Sequence, residues 1–174
     1  MYIEPEQLKK GLIDSALVSR ADVDAAIKEA AEKNKSLSDV LISNAKISED
    51  DFRRVQAKVL AIPFVDLKKE KLEFSVLSLI PEPIARNHNI VAYKKTADSL
   101  EVAMLDPSDL AAIDFVKKKT NLKIFSRLTT TDSIKNALVQ YQKTLKADFG
   151  DIIQQEASNL KTLAADDSNS DISG

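Results

Sequence analysis

The 174 residues are 44% hydrophobic and 30% charged, and 25 basic against 27 acidic side chains leave a net charge of -2. Such a chain can bury a globular core, but it offers no overall field to draw it onto nucleic acid or an anionic membrane. There is no cysteine, which excludes disulfides, thiolate metal ligands and cysteine nucleophiles and is compatible with a reducing cytoplasm. No basic and apolar leader opens the chain and no apolar run approaches the roughly 20 residues that span a bilayer, so direct membrane insertion is not expected.

The first half is built on a repeat. Leu8 to Ala30 recurs as Leu37 to Val59, shifted by about 29 positions, a period typical of repeat units. Leu8 pairs with Leu37, Leu12 with Leu41, Ile13 with Ile42, Ala16 with Ala45, Val18 with Ile47, Ser19 with Ser48 and Val23 with Phe52. Each copy reads as a short apolar helix, a tight connection ending in Ser and a second amphipathic helix, predicting two helical hairpins that share a core.

In chain order, Pro5 suits a first helical turn, and Leu8, Leu12 and Ala16 form one stripe of a short helix that Gly11 weakens. Val18, Ser19 and Asp22 resemble a capping box with an acidic variant at its third position. It opens a helix whose apolar side is Val23, Ala26, Ile27, Ala30 and Ala31. Asn34, Lys35 and Ser36 form a polar break before Leu37, Val40 and Leu41 start the second copy. Ser48 and Asp51 repeat the cap, and Phe52, Val55, Val59 and Leu60 make a fourth apolar face. Pro63 pushes Ile62 out of the helical region, so a helical lobe over 1–61 ends near Ala61.

Beyond it an α/β lobe is expected over 62–145. Phe64 to Leu67 is a short strand candidate followed by a charged turn, Lys68 to Lys71. Phe74, Leu77 and Ile80 form a brief helix closed by Pro81, and another runs from Pro83 to about His88. Ile90 to Tyr93 and Leu100 to Leu105 are strands of a hairpin. Asp106, Pro107 and Ser108 begin a helix with Leu110, Ile113 and Val116 inward, Lys117 to Lys119 in its last turn and Asn121 as a left-handed cap. Leu122 to Leu128 is a third strand, and Asp132 is expected to cap a last helix carrying Ile134, Leu138, Tyr141 and Leu145. From 146 to 174 the apolar density falls, as in a polar linker or a weak helix around Ile152, Ile153, Leu160 and Leu163. The fold class is therefore α+β, two duplicated helical hairpins packed on a small α/β lobe with a sheet of three strands or slightly more.

The chain carries little catalytic chemistry. No G-x-x-x-x-G-K-[ST] loop is present, and Gly11, Gly150 and Gly174 are the only glycines, so no phosphate cradle forms. His88 is the only histidine and lacks companions for a metal site or a triad. Glu49, Asp50 and Asp51 are explained by the first turn of a capped helix. The lysine runs read as solvated surface without aromatics for base stacking, and Asp106 and Pro107 as a strand-to-helix turn. No catalytic residue, metal or cofactor is expected.

Ile62-Pro-Phe-Val-Asp-Leu67, Leu79-Ile-Pro-Glu-Pro-Ile-Ala-Arg86 and Leu100-Glu-Val-Ala-Met-Leu-Asp-Pro107, in that order behind a duplicated hairpin, resemble the N-terminal domain of the GspE/PilB family of type II secretion and type IV pilus assembly ATPases. The resemblance covers roughly Leu8 to Tyr141. It implies a domain ahead of a hexameric motor, cytoplasmic and held at the inner membrane by a platform protein, with the tail leading into the motor. Arg20, Arg53 and Arg54, expected on the outward sides of the second helices, are candidate partner contacts. One branch of the family resembles a cyclic diguanylate receptor with a duplicated motif of Arg-Leu-Gly, Leu, Gly and a late Gln. Here those positions hold Gln7-Leu8-Lys9 and Ser36-Leu37-Ser38, then Ala16 and Ala45, then Ala30 and Val59. Only Leu8, Leu12, Leu37 and Leu41 remain as residues such a ligand would meet. Arginine and glycine, which would grip phosphate and admit the ligand to the backbone, are gone from both copies.

Overall fold

The computed structural model describes residues 5–143; the expected linker or weak helix over 146–174, and Leu145 with it, lies outside the described residues. Four helices come first: α1 (Pro5–Asp14), α2 (Arg20–Lys33), α3 (Leu37–Ser43) and α4 (Glu49–Leu60). The two connections are near copies. Ala16 and Ala45 take φ of 58° and 56°, and Ser19 and Ser48 then cap α2 and α4 with φ, ψ of -72°, 155° and -74°, 156°. Their hydroxyls accept from the Asp22 and Asp51 N–H groups, each at 3.1 Å, satisfying donors that the first turn leaves free. Ser36 caps α3 in the same way through the Asp39 N–H.

Leu12, Val18, Val23, Ala26, Val40, Leu41, Ile47, Phe52 and Val55 form one buried cluster inside the two hairpins, each large aliphatic side chain contributing about 1.5–3 kcal/mol through burial. α2 packs on Val23 and Ala26, whereas Ile27 and Ala31, expected inward, are exposed. The helix needs only a narrow stripe because α3 is two turns long. Gly11 is a close-approach residue. A β-carbon there would stand 2.6 Å from Cγ2 of Val59 and 3.4 Å from Cγ1 of Val55, so α1 and α4 meet backbone against side chain.

α4 ends at Ala61, in the left-handed region at φ 56°, and the chain crosses to the second lobe. There α5 (Phe74–Leu77) and α6 (Glu82–His88) precede the hairpin of β1 (Ile90–Lys95) and β2 (Ser99–Met104), then α7 (Leu110–Thr120) and β3 (Lys123–Leu128). The sheet order is β1-β2-β3. β1 and β2 are antiparallel, with Ile90 opposite Met104, and β2 and β3 are parallel, with Leu100 opposite Ile124, α7 supplying the crossover such a pair requires. A last helix, α8, runs over 131–143 as far as the chain is described, giving eight helices and three strands among the described residues. Ile90, Val91, Ala92, Leu100, Val102, Met104, Ala112, Val116, Ile134 and Tyr141 belong to the second buried cluster.

Four local expectations are revised. Phe64 to Leu67 contributes one bridge, Phe64 beside Leu128 in parallel, rather than a strand. α7 is capped by Asp109, whose carboxylate accepts from the Ala112 N–H at 3.2 Å, while Asp106 closes the preceding turn onto the Ser108 N–H at 3.0 Å. Leu110, expected inward, is 61% exposed, since a residue at the first helical position points along the axis rather than onto the sheet. Thr130, not Asp132, accepts from the Ser133 N–H at 3.2 Å, being the last extended residue before α8.

Candidate functional site

The repeat places its leucines in the core. Leu12 and Leu41 are fully buried, and Leu8 and Leu37 pack against the same cluster. Leu12 and Leu41 are thus core residues, while Leu8 and Leu37 keep part of their surface exposed at its edge. The two positions that hold glycine in the dinucleotide-binding motif, Ala16 and Ala45, are the left-handed residues that turn each hairpin, each N–H donating three residues back, to Ile13 and Ile42, at 3.1 and 3.0 Å. Glycine is favoured there for backbone reasons that involve no ligand. Ser36, at a motif arginine position, is occupied as a helix cap, and Lys9, at a motif glycine, pairs with Asp24 at 2.9 Å.

Two of the three candidate arginines lie where the lobes join. The Arg54 guanidinium carbon stands 4.3 Å from the centroid of the Phe64 ring, a cation–π contact from α4 onto the crossing segment. Arg53 is held inward, its side chain 16% exposed, with Nε 3.7 Å from Glu49 Oε1 and a guanidinium N–H donating to Gln56 at 2.9 Å. Its Nε is buried without a hydrogen bond. Arg20, first residue of α2, is exposed and has no ion pair among the described residues.

Glu49 Oε1 also accepts from the Thr131 N–H and from the Thr131 hydroxyl, both at 2.7 Å. An acidic residue in the first turn of α4 thereby puts its charge at the N-terminus of α8, which favours anions. Beside it Lys68 Nζ donates to Asp50 Oδ2 at 2.6 Å, and this bond raises the lysine above its ordinary pKa. A groove of about 420 Å³ at the joint is lined by Asp39, Ile42 and Ser43 of the first lobe and by Glu49, Arg53 and Thr131. Two of the carboxylates explained in the sequence by helix polarity alone, Glu49 and Asp50, thus also bond to residues beyond α4.

The segment crossing between lobes is fastened along its length. The Val65 N–H donates to the Leu128 carbonyl at 2.9 Å and the Leu128 N–H to the Pro63 carbonyl at 3.0 Å. Ser133, Asn136 and Gln140 lie on one face of α8 and grip the next residues. Ser133 Oγ accepts from the Leu67 N–H at 2.9 Å, Asn136 Nδ2 donates to the Leu67 carbonyl at 2.6 Å, and Gln140 accepts from the Leu72 N–H and donates to the Glu70 carbonyl, both at 2.7 Å. Sequence reasoning missed this face, because Asp132, Lys135, Gln142 and Lys143 make the helix polar on its solvated side as well. Tyr141, buried behind them, donates its hydroxyl to the Leu77 and Ile80 carbonyls at the end of α5, and burial pushes its pKa up.

His88 ends α6 with Nδ1 donating to Asp109 Oδ2 at 2.7 Å, a clasp between two helix ends that holds the Asp109 carboxyl below its ordinary pKa. Among the described residues no group of three or more His, Cys, Asp or Glu side chains could hold a metal ion, and no helix is long and apolar enough to cross a membrane. What the arrangement can do is bind through its surfaces and keep two lobes in fixed register.

The MshEN domain family matches residues 60–148. The type IV pilus assembly ATPase PilB of Myxococcus xanthus is 27% identical over 168 residues, covering 90% of this chain and 30% of that protein. PilB of Thermus thermophilus is 24% identical over 147 residues, covering 83% and 16%. The chain therefore spans less than a third of the length of these relatives. Among solved structures, MshE with cdg (cyclic diguanylate) superposes with a TM-score of 0.66 at 24% identity, covering 77% of this chain and 97% of that one. The N-terminal domain of XpsE gives a TM-score of 0.55 at 21% identity, covering 80% and 97%. Both likenesses establish the fold.

Proposed function

Because this chain belongs to the MshEN domain family and is an N-terminal domain of the GspE/PilB type of secretion and pilus assembly ATPase, we propose that it docks such a motor onto an inner-membrane platform protein. The observation that carries the reading is the joint at Glu49 and Thr131. A domain with a fastened crossing segment and charge-assisted bonds between its lobes transmits a force applied to one of them, where a loose tether would absorb it. Its role is peripheral, cytoplasmic and non-enzymatic; the 174 residues contain no phosphate loop. Arg20 supplies a direct partner contact, while Arg53 and Arg54 act from the joint.

The test is calorimetric titration of the chain with the cytoplasmic part of the platform protein from the same organism. Saturable binding is expected; no heat at about 100 μM of either protein, a Kd weaker than any docking role needs, would overturn the reading.

A second reading, a cyclic diguanylate-binding module, is favoured by one observation, the superposition on MshE with cdg. Against it stand the buried leucines and the lost arginines of both motif copies. Titration with cyclic diguanylate decides it: micromolar binding establishes the module, and absence of heat at about 1 mM ligand removes it.

A further inference from the structure

The groove at the joint has a counterpart one repeat earlier. Adding 29 to Lys10, Ile13 and Asp14, which line a groove of about 360 Å³ on α1 and the start of α2, leads to Asp39, Ile42 and Ser43 of the 420 Å³ groove on α3 and the start of α4. The repeat has therefore built the same depression twice. In the second copy the α/β lobe supplies part of one wall, where Thr131 at the N-terminus of α8 meets Glu49. In the first copy every described lining residue belongs to α1 or to the start of α2, and no described residue of the α/β lobe borders it.

The charges at the mouth are exchanged between copies. Where the second groove has Glu49 and Asp39, the first has Arg20 and Lys10. Glu49 accepts, so its groove takes a helix N-terminus with free N–H groups. Arg20 donates through a planar fork shaped for a carboxylate. Lys9 is held by Asp24 at 2.9 Å, leaving Arg20, Lys10, Asp14 and Glu6 of the lining without ion-pair partners among the described residues. Unpaired cations and carboxylates lining one depression select a segment of mixed charge and disfavour a uniformly acidic or basic one.

We propose that this first groove is the docking socket for the platform protein, and that the occupant is a helical turn presenting a carboxylate to Arg20 and a basic side chain to Asp14, in the place that the first turn of α8 takes one repeat later. The inference rests on the docking reading above and adds where and by what chemistry the partner is held. The first hairpin then faces outward to the partner while the second, built on the same plan, faces inward to the rest of the domain. One architecture repeated twice thus links the two contacts along a single packed core.

Binding of the 174-residue chain to the platform protein's cytoplasmic part is measured for the unaltered chain, Arg20→Glu, Asp14→Lys and, away from the groove, Lys95→Glu. Arg20→Glu should weaken binding about 10-fold or more and Asp14→Lys several-fold, as losses at desolvated charge pairs do, with Lys95→Glu within about twofold. The melting temperature of Arg20→Glu should stay within about 2 °C, because Arg20 has no ion pair among the described residues to lose. Full-strength binding by Arg20→Glu overturns the socket while leaving docking intact. No binding by the unaltered chain overturns both. A clear fall in melting temperature for Arg20→Glu, restored by added salt, would show that the chain itself fills the groove, and also overturns the proposal.

Discussion

The carboxylate of Glu49 and the backbone and hydroxyl of Thr131 are joined by two hydrogen bonds of 2.7 Å across 82 residues of sequence. One side chain thereby ends two separate problems: the first turn of α4 gains an acidic residue and the first turn of α8 gains an anion.

Glu49→Ala should lower the unfolding free energy by about 1.5–3 kcal/mol, the range for hydrogen bonds to a charged group, and Glu49→Gln by less, since its amide oxygen still accepts. Urea denaturation followed by circular dichroism measures both. Equal stability of Glu49→Ala and the unaltered chain would show that the joint does not stabilise the fold.

Gly11→Ala pits helix propensity, a gain of about 1 kcal/mol, against a β-carbon 2.6 Å from Val59 Cγ2, an overpacking cost of about 1–3 kcal/mol. A branched side chain locked in a helix yields little, so net destabilisation is expected. The penalty should shrink in a Val59→Ala background, as a double-mutant cycle would reveal. A stabilised Gly11→Ala variant would mean that α1 and α4 can separate at no cost.

Ala16→Gly and Ala45→Gly should each raise stability by about 0.5–1 kcal/mol, because both residues hold a left-handed backbone that glycine enters without steric penalty. The exposed helical Ala25→Gly should go the other way by about 1 kcal/mol. Thermal melts of the three variants compare the signs directly.

Asp109 is depressed in pKa by its bond to His88 and by the Ala112 N–H. A carboxyl whose folded pKa lies below its unfolded one contributes stability that is present above the unfolded value and is lost as pH falls through the folded one. Asp109→Asn should therefore flatten the loss of stability below about pH 4. Unfolding curves at a series of pH values check this; parallel acid limbs would show that the clasp does not titrate with folding.

Much of the fold was legible because its signals are local. Ser19, Ser48 and Asn121 act within four residues of their partners, and the alternation of Leu100, Val102 and Met104 reads as a strand directly. The misplaced caps, Asp106 for Asp109 and Asp132 for Thr130, follow from several Asx or Thr residues standing within three positions, each able to cap. Arg53 could not be placed, since an arginine on a helix looks the same in sequence whether it meets water or Glu49. Ser133, Asn136 and Gln140 were unreadable for the same reason: a polar face that binds a neighbouring backbone has the composition of a solvated one.

By itself the sequence determined the duplicated hairpins, the α+β order and the family, because helix caps, hydrophobic periods and proline punctuation act over one or two turns. Tertiary structure alone decided that Glu49 joins the second hairpin to Thr131 of the α/β lobe, whereas among the described residues Arg20 of the first meets no such partner. That choice depends on which surface the α/β lobe covers, and two copies of one motif with matching local energetics are distinguished only by what packs against them.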